Sequence, residues 1–127
     1  MKFVKGMDLS TLAELEKCGA KYYDNGEEKD ILEIMKSYDV DTIRIRVWND
    51  PWSETGESYG AGENDSKTSL EIAKKVTKAG FGVLLNLHYS DFWADPGKQF
   101  KPKAWESYGV KELEQAVYDF TLEMMHL

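Results

Sequence analysis

With 127 residues, a formal charge of −7 and a single cysteine, the chain has room for one ordinary domain and no intrachain disulfide. The acidic balance, with no long block of Lys and Arg, excludes a nucleic-acid partner, because phosphate backbones are bound by clustered cations. A hydrophobic fraction of 42% and an aromatic fraction of 13% exclude a disordered polyelectrolyte.

No run is long and apolar enough to span a bilayer, and Met1-Lys2-Phe3-Val4-Lys5-Gly6 lacks the apolar centre of a secretion signal. Neither a membrane partner nor a signal peptide is therefore expected in this chain, and the lone Cys18 leaves the compartment open.

In chain order, Phe3 to Asp8 has the character of a first strand ending in an acid. Thr11 and Glu14 stand at capping-box spacing, which predicts a short helix through Lys17 stopped by Gly19. Ile31, Ile34, Met35 and Tyr38 recur at helical spacing, predicting a longer helix from Glu28 onward.

Thr42 to Trp48 alternates strictly, so Ile43, Ile45 and Val47 share one face of a strand while Arg44, Arg46 and Trp48 share the other. Asn49-Asp50-Pro51 ends it, and the polar loop from Trp52 to Asn64 is longer than most connections, which favours a functional role. Ser66 or Thr68 is placed to cap the next helix, carried by Leu70, Ala73, Val76 and Thr77 and ended at Gly80.

A third strand follows at Val83-Leu84-Leu85-Asn86-Leu87 and runs into His88-Tyr89-Ser90-Asp91-Phe92-Trp93, where apolar residues give way to imidazole, hydroxyl, carboxylate and indole groups. After a long aromatic loop, Leu113, Ala116, Val117, Phe120, Met124 and Leu127 predict a last helix, with no stop signal before the end of the sequence.

Strand, helix, strand, helix in this order predicts parallel βα units. Parallel strands bring Asp8, Arg46 to Asn49, and His88 to Asp91 to one edge of the sheet, where such folds collect their working groups. Buried guanidinium groups on that face call for acidic partners, of which Asp8 is one candidate.

Each group also has a plainer reading. Arg46 fits an edge-strand surface charge, His88 a structural histidine, Asp91 a loop or capping acid, and the aromatics fit a core. The concentration of Trp48, Trp52, Tyr89, Phe92, Trp93 and Trp105 around strand-end loops favours a carbohydrate cleft, since sugar rings offer apolar faces and polar rims.

Gly60-Ala61-Gly62 lacks the remainder of a phosphate-binding loop, Ser90 lacks the glycines of a nucleophile elbow, and His88 with Asp91 is too small a set for a metal. No metal or other cofactor is expected.

Three blocks together carry a resemblance. Phe3-Val4-Lys5-Gly6-Met7-Asp8-Leu9-Ser10, then Arg44-Ile45-Arg46-Val47-Trp48-Asn49-Asp50-Pro51, and above all His88-Tyr89-Ser90-Asp91-Phe92-Trp93-Ala94-Asp95-Pro96, with Lys98-Gln99 and Pro102-Lys103-Ala104-Trp105, resemble the arabinogalactan endo-β-1,4-galactanases of glycoside hydrolase family 53.

The resemblance implies an α/β fold, a partial (β/α)8 TIM barrel of about the first three βα units, with residues 1–127 forming the amino-terminal part of a catalytic domain cut within its third barrel helix. A full barrel of this kind takes about 250 residues. It implies retaining hydrolysis of internal β-1,4-galactosidic bonds in pectic galactan, in an extracellular full-length protein.

Retention requires two carboxyl groups about 5–5.5 Å apart, and the family carries them as glutamates on strands four and seven, beyond Leu127. Glu106, Glu112, Glu114 and Glu123 do not take those roles. What carries over is support: Arg46 to orient the nucleophile, His88 near the cleavage point, and Asp8, Trp48, Asn49, Asp91 and Trp93 along the substrate groove. Asn86 stands where the family pattern has an aspartate.

The chain alone is then expected to be inactive and prone to self-association through open strand edges. Two alternatives from other classes are a non-catalytic glycan-binding module and a metal-dependent barrel hydrolase.

Overall fold

The computed structural model describes residues 3–126. Strand β1 (Gly6–Asp8) lies at one edge of a three-stranded parallel sheet, β4 (Thr42–Val47) is central and β5 (Gly82–Leu87) forms the other edge. Asp8 is in register with Arg44, and Arg46 with Asn86, so these side chains share one face. β1 is shorter than expected, and Phe3 and Val4 are exposed before it.

The opposite face of β4 explains the fold. Ile43 and Ile45 are fully buried and pack with Leu12 of α1 (Leu12–Lys17), Ile31 and Leu32 of α2 (Ile31–Ser37), and Ile72 and Val76 of α3 (Ser66–Lys78). Burying such a side chain contributes about 1.5–3 kcal/mol, enough for the strict alternation to fix which face meets the helices. Val47 continues this face into a second cluster with Trp105 and with Phe120 and Met124 of α4 (Val110–Met125). Leu113, Ala116 and Val117 pack alongside as the periodicity requires, while Leu127 lies outside the described residues.

Three local expectations are corrected. Thr11 does not form a capping box: its backbone at φ −91°, ψ 6° is not extended and its side chain accepts nothing. Instead, Asp8 Oδ1 accepts the Ser10 N–H at 2.9 Å and holds the turn into α1.

The helix expected from Glu28 begins later, at Ile31, because the preceding residues form an antiparallel hairpin, β2 (Tyr22–Asp24) with β3 (Glu27–Lys29). Asn25 and Gly26 at its tip both have positive φ, 51° and 84°, the geometry for which Asn-Gly is selected. Asp30 then caps α2 by accepting the Leu32 N–H.

For α3 the cap is Asp65, one residue before Ser66; its Oδ1 accepts the Thr68 N–H at 2.8 Å and its Oδ2 accepts the indole N–H of Trp52 at 3.2 Å. One carboxylate thus starts the helix and pins the preceding loop.

Candidate active site at the strand ends

Arg46 occupies the inner face of β4 with only 4% of its surface exposed. Its backbone N–H donates to Ser10 Oγ at 2.8 Å, and its Nη2 donates to the Ala61 carbonyl at 2.7 Å and to Asn64 Oδ1 at 3.1 Å. Trp48 and Trp93 flank the guanidinium, with their ring centroids 4.2 and 4.0 Å from Cζ. A planar, weakly hydrated cation suits this slot between two π faces, which a lysine ammonium would not fill.

Among the described residues, the partners of the Arg46 guanidinium are neutral oxygens. Asp8 pairs with Arg44 instead, at 3.1 Å from Nη1, since the sheet register sets it beside Arg44 and short of Arg46. Burial lowers the Arg46 pKa from its ordinary value, with Asp8 acting against the fall and Arg44 adding to it. A guanidinium keeps its charge through such a shift.

The two residues that hold Arg46, Asn64 and Ser10, are themselves buried and were not singled out from the sequence. Asn64 Nδ2 donates to the Ser10 carbonyl at 2.6 Å, and the Asn64 carbonyl accepts the Trp48 N–H at 2.8 Å. Gly60, Ala61 and Gly62 all have positive φ, a tight coil that turns the Ala61 carbonyl onto the guanidinium. The long loop flagged by its length is thus a cradle for Arg46. Its glycine pattern was the available signal.

His88 follows β5, where its N–H donates to the Val47 carbonyl at 2.8 Å. Asn86 Nδ2 lies 2.8 Å from His88 Nε2, and the imidazole meets Trp48 and Trp93 at steep angles, centroids 6.4 and 6.3 Å apart. Burial lowers the His88 pKa first, followed by Arg46 and Arg44, with Asp8 opposing. Arg46, His88 and Trp93 are therefore brought together at the carboxyl end of the sheet.

The groove residues divide. Trp93 is about half exposed, as are Tyr59 and Phe92 beside it, so their surfaces are available as platforms. Trp48 is fully buried, which corrects its assignment to substrate: its ring is covered by Arg46, Phe92 and Trp93. Asn49 is half-buried and its N–H donates to the Ser90 carbonyl at 2.9 Å.

Asp91 borders the larger hollow, and its carboxylate is also tied to the backbone: Oδ1 accepts the Asp50 N–H at 3.0 Å and Oδ2 the Lys103 N–H at 2.8 Å. Lys103, not foreseen, completes this knot by donating through Nζ to the carbonyls of Asp50 and Trp52, beside the Asp50 carboxylate at 2.8 Å. The connections that follow β4 and β5 meet at one ammonium.

Two open hollows adjoin these groups. One, of about 760 Å³, is bordered by Tyr59, Phe92, Trp93, Gln99 and Lys103. The other, of about 400 Å³, is bordered by Asn86, His88, Tyr89, Phe100 and Trp105. A third cavity of about 410 Å³ is apolar and lies among Val47, Leu70, Ala73, Leu85 and Met124 on the helix side, away from the strand-end chemistry. Among the described residues, no group of three or more His, Cys, Asp or Glu is arranged to hold a metal.

Residues 4–127 match the sequence pattern described as Glycosyl hydrolase family 53. The chain belongs to glycosyl hydrolase family 53. Among relatives within family 53, the endo-beta-1,4-galactanase of Bacillus subtilis (strain 168) is 40% identical over 124 residues, covering 97% of this chain and 29% of that protein. The arabinogalactan endo-beta-1,4-galactanase of Cellvibrio japonicus (strain Ueda107) is likewise 40% identical, over 97% of this chain and 31% of that protein.

The solved family 53 catalytic domain from Ignisphaera aggregans superposes with a TM-score of 0.91 at 48% identity, covering 96% of this chain and 34% of that one. The chain thus spans about a third of the length of these relatives. Its three parallel strands with their outer helices are a partial (β/α)8 barrel of the family 53 type.

Proposed function

We propose that this chain is the amino-terminal portion of a retaining endo-β-1,4-galactanase that cleaves internal bonds of pectic (arabino)galactan, in an extracellular setting suited to a polymeric substrate. The observation that carries the reading is the buried Arg46, clamped by two indoles and by neutral acceptors, beside His88 at the carboxyl end of the family 53 sheet. That face supplies donors and stacking surfaces. The two carboxyl groups that retention requires, about 5–5.5 Å apart, are assigned to residues outside 1–127.

In this reading Arg46 orients a nucleophilic carboxylate from outside residues 1–127, and His88 lies near the point of cleavage. Asp8, Asn49 and Trp93 border the sugar track, with Trp93 as its stacking surface. Asp91 holds the track's loops in place, and no metal or other cofactor enters the reaction.

The test compares residues 1–127 with the longer polypeptide carrying the remaining barrel units, using release of reducing ends from β-1,4-galactan. Release by the longer polypeptide alone is the expected result. Galactan left intact by the longer polypeptide, with retained affinity for it, would instead identify a glycan-binding module; hydrolysis by residues 1–127 would overturn the placement of both glutamates. Activity abolished by a chelator and restored by zinc would identify a metal-dependent hydrolase.

A further inference from the structure

Among the described residues, the imidazole of His88 has one hydrogen-bond contact, Asn86 Nδ2 at 2.8 Å from Nε2. An amide nitrogen only donates, so Nε2 accepts and the single proton of the neutral ring lies on Nδ1. Asn86 and His88 are two residues apart, on one face of an extended segment, so the contact is built into the strand itself.

Nδ1 is buried and has no partner among the described residues, and the same holds for Nε of Arg46 and Nε1 of Trp48. These residues are neighbours: the Arg46 guanidinium lies over the Trp48 ring, which meets the His88 ring edge-on. With the proton on Nδ1, every one of the three unpartnered atoms is a donor.

We infer that Asn86 is a positioning residue that fixes His88 as the neutral tautomer with its proton on Nδ1, keeping this histidine out of proton transfer. The inference rests on the glycan-cleaving function proposed above. The charged groups around the ring agree with it. Arg44 and Arg46 on β4 disfavour an imidazolium, and Lys101 in the neighbouring loop is held by the Glu106 and Tyr108 carbonyls; Asp8 on β1 is the single opposing charge and is paired with Arg44. A carboxylate at position 86 would reverse the arrangement, drawing the proton to Nε2 and favouring the cation.

Ring-¹⁵N-histidine labelling with long-range ¹⁵N–¹H correlation reads this directly. The chain has two histidines, so His88 is assigned by loss of its signals in His88→Gln or by elimination in His126→Gln. The unsubstituted protein is expected to show protonated Nδ1 and bare Nε2. The opposite tautomer overturns the inference, with no variant required.

In Asn86→Asp the bare Nε2 signal is expected to be lost as that atom takes the proton, and unchanged ring signals there count against positioning by residue 86. If galactan is never cleaved, the proposed function fails while the tautomer stands or falls on its own spectrum.

Discussion

Arg46 donates to Oδ1 of Asn64 at 3.1 Å, so the most deeply buried cation of the site is held by a neutral side chain. Asn64 also gives its amide proton to the Ser10 carbonyl and its own carbonyl to the Trp48 N–H. Asn64→Ala therefore removes one acceptor from a buried charge and one donor from a buried carbonyl. An unsatisfied buried group costs about 1–3 kcal/mol, and a loss of this size is expected in urea unfolding. A midpoint indistinguishable from that of the unsubstituted protein would show that Arg46 does not depend on Asn64.

Gly62 has φ 93°, and a Cβ added there would stand 2.3 Å from Asn64 Oδ1 and 3.4 Å from the Ser10 carbonyl. Gly56 has a similar φ of 79° but meets nothing within 4 Å. Both alanine variants carry the backbone penalty, of order 1 kcal/mol, while Gly62→Ala must also displace the side chain that holds Arg46. Thermal melts should place Gly62→Ala well below Gly56→Ala. Equal melting temperatures would mean that the cradle is not under this steric constraint.

The parts of this arrangement that local chemistry determines were legible before the structure. Alternation in β4 separates Ile43, Ile45 and Val47 from Arg44 and Arg46, and parallel βα order brings His88 to the same edge as Arg46. Partnership was not legible, because it depends on register and on loop paths. Asp8 meets Arg44 by a register that the sequence alone does not specify, and Asn64 reaches Arg46 only through the left-handed coil at Gly60 to Gly62. The hairpin at Asn25-Gly26 is a different case. Its turn signal was present in the sequence, and the helical spacing of Ile31, Ile34 and Met35 obscured it.

Asp91 and Lys103 tie the loops after β4 and β5 to each other through shared partners, Asp50 foremost. Removing either loosens the same knot. Asp91→Ala and Lys103→Met should each weaken galactan-oligosaccharide binding about tenfold in the longer polypeptide, which is about 1.4 kcal/mol, and the double variant should lose less than the sum. Coupling between residues that share partners is typically about 0.5–3 kcal/mol. Strict additivity in a calorimetric double-mutant cycle would separate the two residues into independent roles.

Both edges of the parallel sheet expose apolar side chains, Met7 on β1 at 44% and Val83 and Leu84 on β5 at 37% and 48%. Unpaired edges of this kind template association between chains. Residues 1–127 on their own are expected to self-associate in sedimentation velocity over micromolar concentrations and to bind an apolar dye. Replacing Leu84 by Lys should reduce both effects. A monomer that melts cooperatively and excludes the dye would overturn this expectation.

His88 also links the site to pH. Its folded pKa lies below the ordinary 6.5, chiefly through burial and then through Arg46 and Arg44. As pH falls through 6.5 the unfolded chain takes up the proton first, so the folded state loses stability until pH passes the lowered folded value, below which no further loss comes from this group. The contribution is fully present above the unfolded value and declines on the acid side, the opposite of a histidine gaining an acidic partner. Melting temperatures of the unsubstituted protein should therefore fall between neutrality and mildly acid pH more steeply than those of His88→Gln, which cannot take up the proton. Parallel curves for the two proteins across that window would show that His88 keeps an ordinary pKa and that its burial beside two guanidinium groups has no thermodynamic consequence.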